Sequence, residues 1–174
     1  VNPNDQNLYP DAAQRIMMLV KNTFGDLFTY FLGLPDNFAP PNDAFPLIIV
    51  DKAAGTYKVG PTTADDITEH VYVHIMVDVK TGFGAPDTDN VVKRQLQTLV
   101  EGRDPVTGYL LPNSLMYALR THLTLSSASV PGLVTINNEI NISYDAIERP
   151  NLPETREAVI DITISERQMV PNRN

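Results

Sequence analysis

The chain has 174 residues, enough for one domain with a sizeable core and few for two of ordinary size. A hydrophobic fraction of 43% argues against wholesale disorder, and no run approaches the ~20 apolar residues of a membrane-spanning helix. Thirteen Lys and Arg against twenty-one Asp and Glu leave a net charge of −8, which disfavours tight wrapping of nucleic acid, while the absence of cysteine removes disulfides, thiolate metal sites and Cys nucleophiles together.

Residues 1–9 are polar, lack periodicity and read as an N-terminal arm. No basic segment followed by an apolar run marks a secretion signal. Pro10 suits a first helical turn, and Ala12, Ala13, Ile16, Leu19, Val20 and Phe24 recur at helical spacing. The pattern predicts an amphipathic helix over Pro10–Phe24, ended by Gly25. The apolar run Leu27–Leu32 is expected to be buried or to touch a partner. Gly33–Pro46 reads as a proline-rich loop and Pro46–Val50 as a short buried strand; Ala53–Gly55 reads as a turn and Thr56–Val59 as the returning hairpin strand.

The strongest pattern follows. Val71, Val73, Ile75, Val77 and Val79 alternate with Tyr72, His74, Met76, Asp78 and Lys80, as in a half-buried strand. Gly82–Pro86 breaks it, and Asp87 or Thr88 caps a second helix reaching Glu101, with Val91, Val92, Gln95, Leu96, Leu99 and Val100 on one face. Gly102–Pro112 is a turn-rich loop. Asn113 or Ser114 caps a short helix carrying Leu115, Met116, Leu119 and Leu123. After Pro131-Gly132 a second alternating strand runs through Val134, Ile136, Asn138, Ile140, Ile142 and Tyr144. Asp145–Glu154 reads as a linker, a last strand buries Ala158, Ile160, Ile162 and Ile164, and 167–174 is a polar tail. Strands grouped before and after the helices predict an α+β fold. It is expected to be one domain over 10–166: a mostly antiparallel sheet packed against two or three helices, with extended loops and terminal arms.

A search for chemistry returns little. His70 and His74 share a strand face but stand about 13 Å apart at ~3.3 Å per residue, too far to share one zinc. Asp65-Asp66 and Asp87-Thr88-Asp89 are carboxylate pairs, the second where a helix needs its cap. Nucleophile elbow, phosphate-cradling glycine loop, zinc-protease helix and dinucleotide fingerprint are all missing. Leu152–Arg156 has Arg where a sortase signal needs Gly, and the glycosylation triplet at Asn141 falls inside a predicted strand. Basic residues, among them Lys21, Lys52, Lys58, Arg94 and Arg120, are scattered and form no aromatic-interleaved stripe. The expectation is a protein that is not an enzyme and needs no cofactor or metal.

The order of elements resembles that of bacteriophage tail-terminator, or tail-completion, proteins. The resemblance rests on the N-terminal helix Pro10–Phe24, the Pro-led strand Phe45–Val50, the valine-rich strand Thr68–Val77 leading into the second helix, and a closing strand Ala158–Ile164. It spans about residues 10 to 166. The loop Gly102–Pro112 and the extended strand pair Leu133–Glu166 depart from the family pattern. The resemblance implies a structural virion subunit that assembles in the host cytoplasm into a ring, typically a hexamer, at the tail–neck junction. Such a ring ends the tail tube, meets the tube protein and a head-completion or connector protein, and lets DNA pass without specific binding; no membrane is involved. Ring closure needs heterologous contacts. For these the candidates are Leu27, Phe28, Tyr30 and Phe31, with Arg103 and Tyr109 in the 102–112 loop; ordinary core packing is the competing reading of the aromatics. Other functions to weigh are a head-completion adaptor, a stand-alone ligand-binding α+β module, and a hydrolase without a familiar motif.

Overall fold

The computed structural model describes residues 10–33, 44–60, 64–79, 89–125, 133–147 and 154–169. The expected terminal arm 1–9, positions 34–43 of the proline-rich loop, Gly82–Pro86, the caps Asp87 and Thr88, Pro131-Gly132 and residues 170–174 lie outside them.

The elements run α1 (Ala12–Phe24), a single 3-10 turn (Gly25–Leu27), β1 (Thr29–Leu32), β2 (Leu47–Lys58), β3 (Ala64–Asp78), α2 (Asp89–Glu101), α3 (Leu115–Thr121), β4 (Leu133–Ile147) and β5 (Thr155–Met169). The five strands form one sheet in the order β1-β2-β3-β5-β4. Every pairing is antiparallel except β1 with β2. The fold is α+β, as the grouping of strands and helices predicts.

Local chemistry explains the helix ends. Asp11 Oδ1 accepts from the Gln14 amide at 2.8 Å and Gln14 Oε1 accepts from the Asp11 amide at 3.0 Å, a reciprocal capping box that starts α1 at Ala12, after Pro10. Gly25, at φ 58° and ψ −134°, takes a positive-φ conformation open to glycine and ends it. Ser114, and not Asn113, caps α3: its Oγ accepts from the Tyr117 amide at 3.3 Å. α3 ends at Thr121, so Leu123 lies beyond it in a short segment that pairs with β4, with Ile136 N donating to Leu123 O and Leu125 N to Val134 O.

All three helices pack on one face of the sheet. Ile16 and Val20 of α1, Val92, Leu96 and Val100 of α2, and Leu115 and Leu119 of α3 cover Ile48, Val50, Val71, Val73, Ile75, Val77, Ala158, Ile160, Ile162 and Ile164, all buried in one core. Alternation therefore marks the buried side of β3 and β5 correctly. On the opposite face, burial is confined to one end of the sheet, where Leu47, Ile49 and Met76 pack with Ala44, Phe31 and Phe45.

Several expectations need correction. The turn and hairpin over Ala53–Val59 are one continuous strand, β2, pairing throughout with β3 and carrying a bulge between Lys52 and Ala54. A long antiparallel partner holds the small residues extended. The run Leu27–Leu32 supplies a strand, β1, joined in parallel to Leu47–Val50. β4 continues through Ile147, so the linker begins later than Asp145, and β5 reaches Met169, three residues into the expected tail. Val91, expected on the buried face of α2, is 41% exposed.

Candidate functional site: an open sheet face, an ordered loop and two free strand edges

The face of the sheet away from the helices carries Asp66, Thr68, His70, Tyr72 and His74 on β3, with Glu157, Val159, Asp161 and Thr163 beside them on β5. The two histidines sit in matching surroundings. His70 pairs in register with Thr163 and approaches Asp161, Nδ1 to Oδ1 at 3.2 Å; His74 pairs with Val159 and approaches Glu157, Nδ1 to Oε1 at 2.5 Å. Each imidazole thus reaches diagonally to a carboxylate two residues back on β5, and the Tyr72 ring stands edge-on to His74 at 6.1 Å. Glu157 is fully buried and Asp161 partly exposed. Asp51 and Asp145 join this face from β2 and β4, while Lys58 and Arg167 stand at its far end, where Arg167 Nε is 3.9 Å from Asp66. The face is acidic overall, and among the described residues no group of three or more His, Asp or Glu side chains could hold a metal ion. Of the carboxylate pairs noted in the sequence, Asp65 accepts from Gly60 N at 3.0 Å and Asp66 faces Arg167, both structural roles.

The helix side holds a second charged group. Lys52 Nζ forms an ion pair with Glu69, which is only 3% exposed. Burial alone would lower the lysine, and the Glu69 carboxylate more than reverses this, so Lys52 titrates above its ordinary value. Nearby, burial holds the Glu166 carboxyl above the usual range; Arg15 pulls it down and the Glu69 charge pushes it up. Arg15, itself buried, donates through Nε to Pro10 O at 3.1 Å and through Nη1 to Leu125 O at 3.0 Å, tying the start of α1 to the segment beside β4.

The predicted interface residues separate. Phe28 is 6% exposed and packs edge-on against Phe24 at 5.3 Å, so it belongs to the core. Tyr30 is half-buried, donates to Gly25 O at 2.7 Å and lies under the Lys21 ammonium. Phe31 packs against the small cluster on the open face. Leu27 is exposed and lines an open groove of about 530 Å³ with Val91, Arg94, Gln95, Thr98 and Leu99 of α2. Arg103 borders an adjoining depression toward the C-terminal end of α2, which shares Arg94 and Thr98 with that groove. Tyr109 is 78% exposed on the returning arm of the 102–111 loop, its carbonyl accepting from Asp104 N beside the Arg103–Leu110 bridge.

That loop is ordered by its own hydrogen bonds. Asp104 Oδ1 accepts from Val106 N, Thr107 N and Thr107 Oγ1 at 2.7–3.0 Å, and Arg103 and Leu110 form a bridge across its base. The bonds from Thr107 and Val106 hold the Asp104 carboxyl below its ordinary value. Gly102 closes against α2 so tightly that a Cβ there would lie 2.4 Å from Thr98 O. Val106 and Tyr109 are left projecting from a firm base.

What sequence reasoning missed is the sheet's edges. β1 covers β2 only along Leu47–Val50, and the 123–125 segment meets β4 only near Val134–Ile136. Between Ile136 and Ile140 β4 bulges, with Asn137, Asn138 and Glu139 set against the single residue Thr163. Among the described residues, Ala53–Lys58 on one side of the sheet and Ile140–Ile147 on the other carry no strand on their outer edge. No helix among the described residues is long and apolar enough to cross a membrane. Compared with protein-family models the chain matches none, and no curated protein matches it.

Proposed function

We propose that the chain is a structural subunit of a tailed-phage virion neck, forming a ring that ends the tail tube and joins it to the head. The observation that carries this reading is the one-sided sheet. Among the described residues, three helices cover one face, while the other carries Asp51, Asp66, Asp145 and Asp161 against Lys58 and Arg167. An acidic wall facing inward repels phosphate and lets DNA slide past without adhering. The order of elements that resembles the tail-terminator family is kept in the fold, with an added strand at Thr29–Leu32. A purely geometric role also suits an open face whose carboxylates and imidazoles are engaged with one another in ladder fashion.

The test is mass by light scattering over a concentration series, then negative-stain imaging, each with and without purified tail tubes. A six-fold ring seated on tube ends supports the neck reading; a ring found between portal and tube, away from the tube end, favours a head-completion adaptor instead. A monomer under every condition, tubes included, refutes both. One observation favours a different class: the groove beside α2, lined by Leu27, Val91 and Leu99, has apolar walls suited to a small apolar ligand. A monomer whose melting temperature rises with such a ligand would move the assignment to a binding module.

A further inference from the structure

We infer that the free stretch of β2 in one copy pairs antiparallel with the free stretch of β4 in the next, so that copies of this chain share one continuous sheet. The inference rests on the ring reading above and names its joint. Four observations bear on it. The stretches Ala53–Lys58 and Ile140–Ile147 lie on opposite sides of the sheet, and each is long enough for a six-residue pairing. β2 and β4 run in opposite directions, because β3 and β5 intervene through antiparallel pairings. Two copies in the same orientation therefore bring β2 and β4 together antiparallel, the polarity that repeated head-to-tail contacts need.

The third observation is chemical. The β2 edge carries Lys58, and the β4 edge carries Glu139 and Asp145. In the register below, Lys58 faces Asn141 and Asp145 faces Ala54, so these charges form no cross-strand pair; they favour unlike over like edges only through the overall sign of each edge. The β2 edge also shows Tyr57 at 58% exposure, an unblunted feature at a sheet edge that folding alone does not require. Face parity then restricts the register. Tyr57 shares the helix-side face with Ile67, and Ile140, Ile142 and Tyr144 share it with Ile162, Ile160 and Ala158. Pairing Thr56 with Ser143 puts Tyr57 opposite Ile142 and Gly55 opposite Tyr144, whose ring packs against its own core with a buried hydroxyl, so the apolar match across the joint is Tyr57 on Ile142.

The fourth observation is the offset. Thr56 lies level with Thr68 and Ser165, while Ser143 lies level with Val159, six residues away along β5. Each joint therefore shifts the next copy by ~20 Å along the strands and by ~19 Å across four strand spacings. Closure into a ring then inclines the strands by about 45° to the ring axis, at the edge of the 35–45° range of closed barrels.

The chain contains no cysteine, so introduced pairs report without background. Within one chain β2 and β4 are separated by β3 and β5, three spacings or at least ~14 Å, beyond the ~7 Å Cα limit of a disulfide. We would oxidise T56C/S143C, with T56C/N141C and T56C/D145C covering a register shifted by one pair either way, and T56C and S143C alone as controls. The expected result is a ladder of covalent oligomers from one of the double variants, ending at the ring's own subunit number and absent from both single variants. Efficient dimers from either single variant would mean like-edge pairing and overturn the joint, as would the absence of cross-links from all three doubles at concentrations where scattering shows assembly or in the presence of tubes. A ring that forms without these cross-links overturns the joint and leaves the neck reading standing. Cross-linked rings that ignore tail tubes do the reverse.

Discussion

Replacing Lys52 with Met isolates the cost of the buried carboxylate beneath α1. The Glu69 side chain is 4% exposed, its Oε1 is engaged by Lys52 Nζ, and its Oε2 has no hydrogen-bond partner among the described residues. Removing the ammonium leaves the buried carboxylate without the cation that engages it. Breaking a fully buried pair costs about 3–5 kcal/mol. Lys52, however, is 35% exposed, so water already screens part of the attraction and we expect about 1–3 kcal/mol. For a domain of this size that is a fall in melting temperature of roughly 3–10 °C. The double variant K52M/E69L should recover to within about 1 kcal/mol of the parent, because both desolvated charges are gone. pH supplies an independent check. Lys52 is raised above its ordinary value of 10.5, so its contribution is complete below that value and is lost as pH rises through the higher folded one. The parent's advantage over K52M should therefore hold at neutral pH and shrink only above about 10.5. Denaturant unfolding of parent, K52M, E69L and the double variant measures the cycle. A loss below about 0.5 kcal/mol for K52M would refute the claim that Glu69 is held away from solvent.

Three further outcomes follow from the packing and the titrating groups. Ile16→Ala, at a side chain with no exposure, should cost about 2–5 kcal/mol in denaturant unfolding, whereas Met18→Ala on the same helix, 57% exposed, should stay within about 0.5. Glu166→Gln should raise the melting temperature at neutral pH. The Glu166 carboxyl is held above its ordinary value of 4.5, so the parent loses stability as pH rises through that window, and the variant's advantage should vanish below about 4.5. Asp104→Ala should speed proteolysis within 102–111 while leaving the far-ultraviolet circular dichroism unchanged. In the parent the same loosening should appear as pH falls below the ordinary aspartate value of 3.8 and through the depressed folded one.

The helices and the buried side of the long strands were legible because each depends on a local period. Ile16, Val20, Leu96 and Leu119 repeat at helical spacing, and Val71–Val77 and Ala158–Ile164 alternate, so burial follows without knowledge of the partner strand. β1 was not legible. Its four residues pair in parallel with β2 across an intervening loop, and nothing in Thr29–Leu32 separates that from a core segment or a contact patch. The histidine partners were hidden for the same reason. The spacing of His70 and His74 excludes a shared ligand, but Asp161 and Glu157 reach them only through the β3–β5 register, some ninety residues along the chain.

The two bulges show why one strand was read correctly through an irregularity and the other was not. In β4 two extra residues are inserted, and because the strand period is two, an even insertion returns Ile140 and Ile142 to the face already held by Val134 and Ile136. The alternation survives, apart from Asn138, which lies in the bulge itself. In β2 one extra residue, Ala53, is inserted, so the sides exchange: Val50 and Lys52 share the helix face before it, Gly55 and Tyr57 after it. The pattern breaks among small residues, and a turn is the natural reading of Ala-Ala-Gly. That same exchange puts Tyr57 on the side where Ile140, Ile142 and Tyr144 lie on the opposite edge. Without it, Tyr57 would face the acidic side, opposite Asn141, Ser143 and Asp145, with no apolar side chain across from it. The feature that hid β2 from the sequence is thus the one that gives its free end a face complementary to β4.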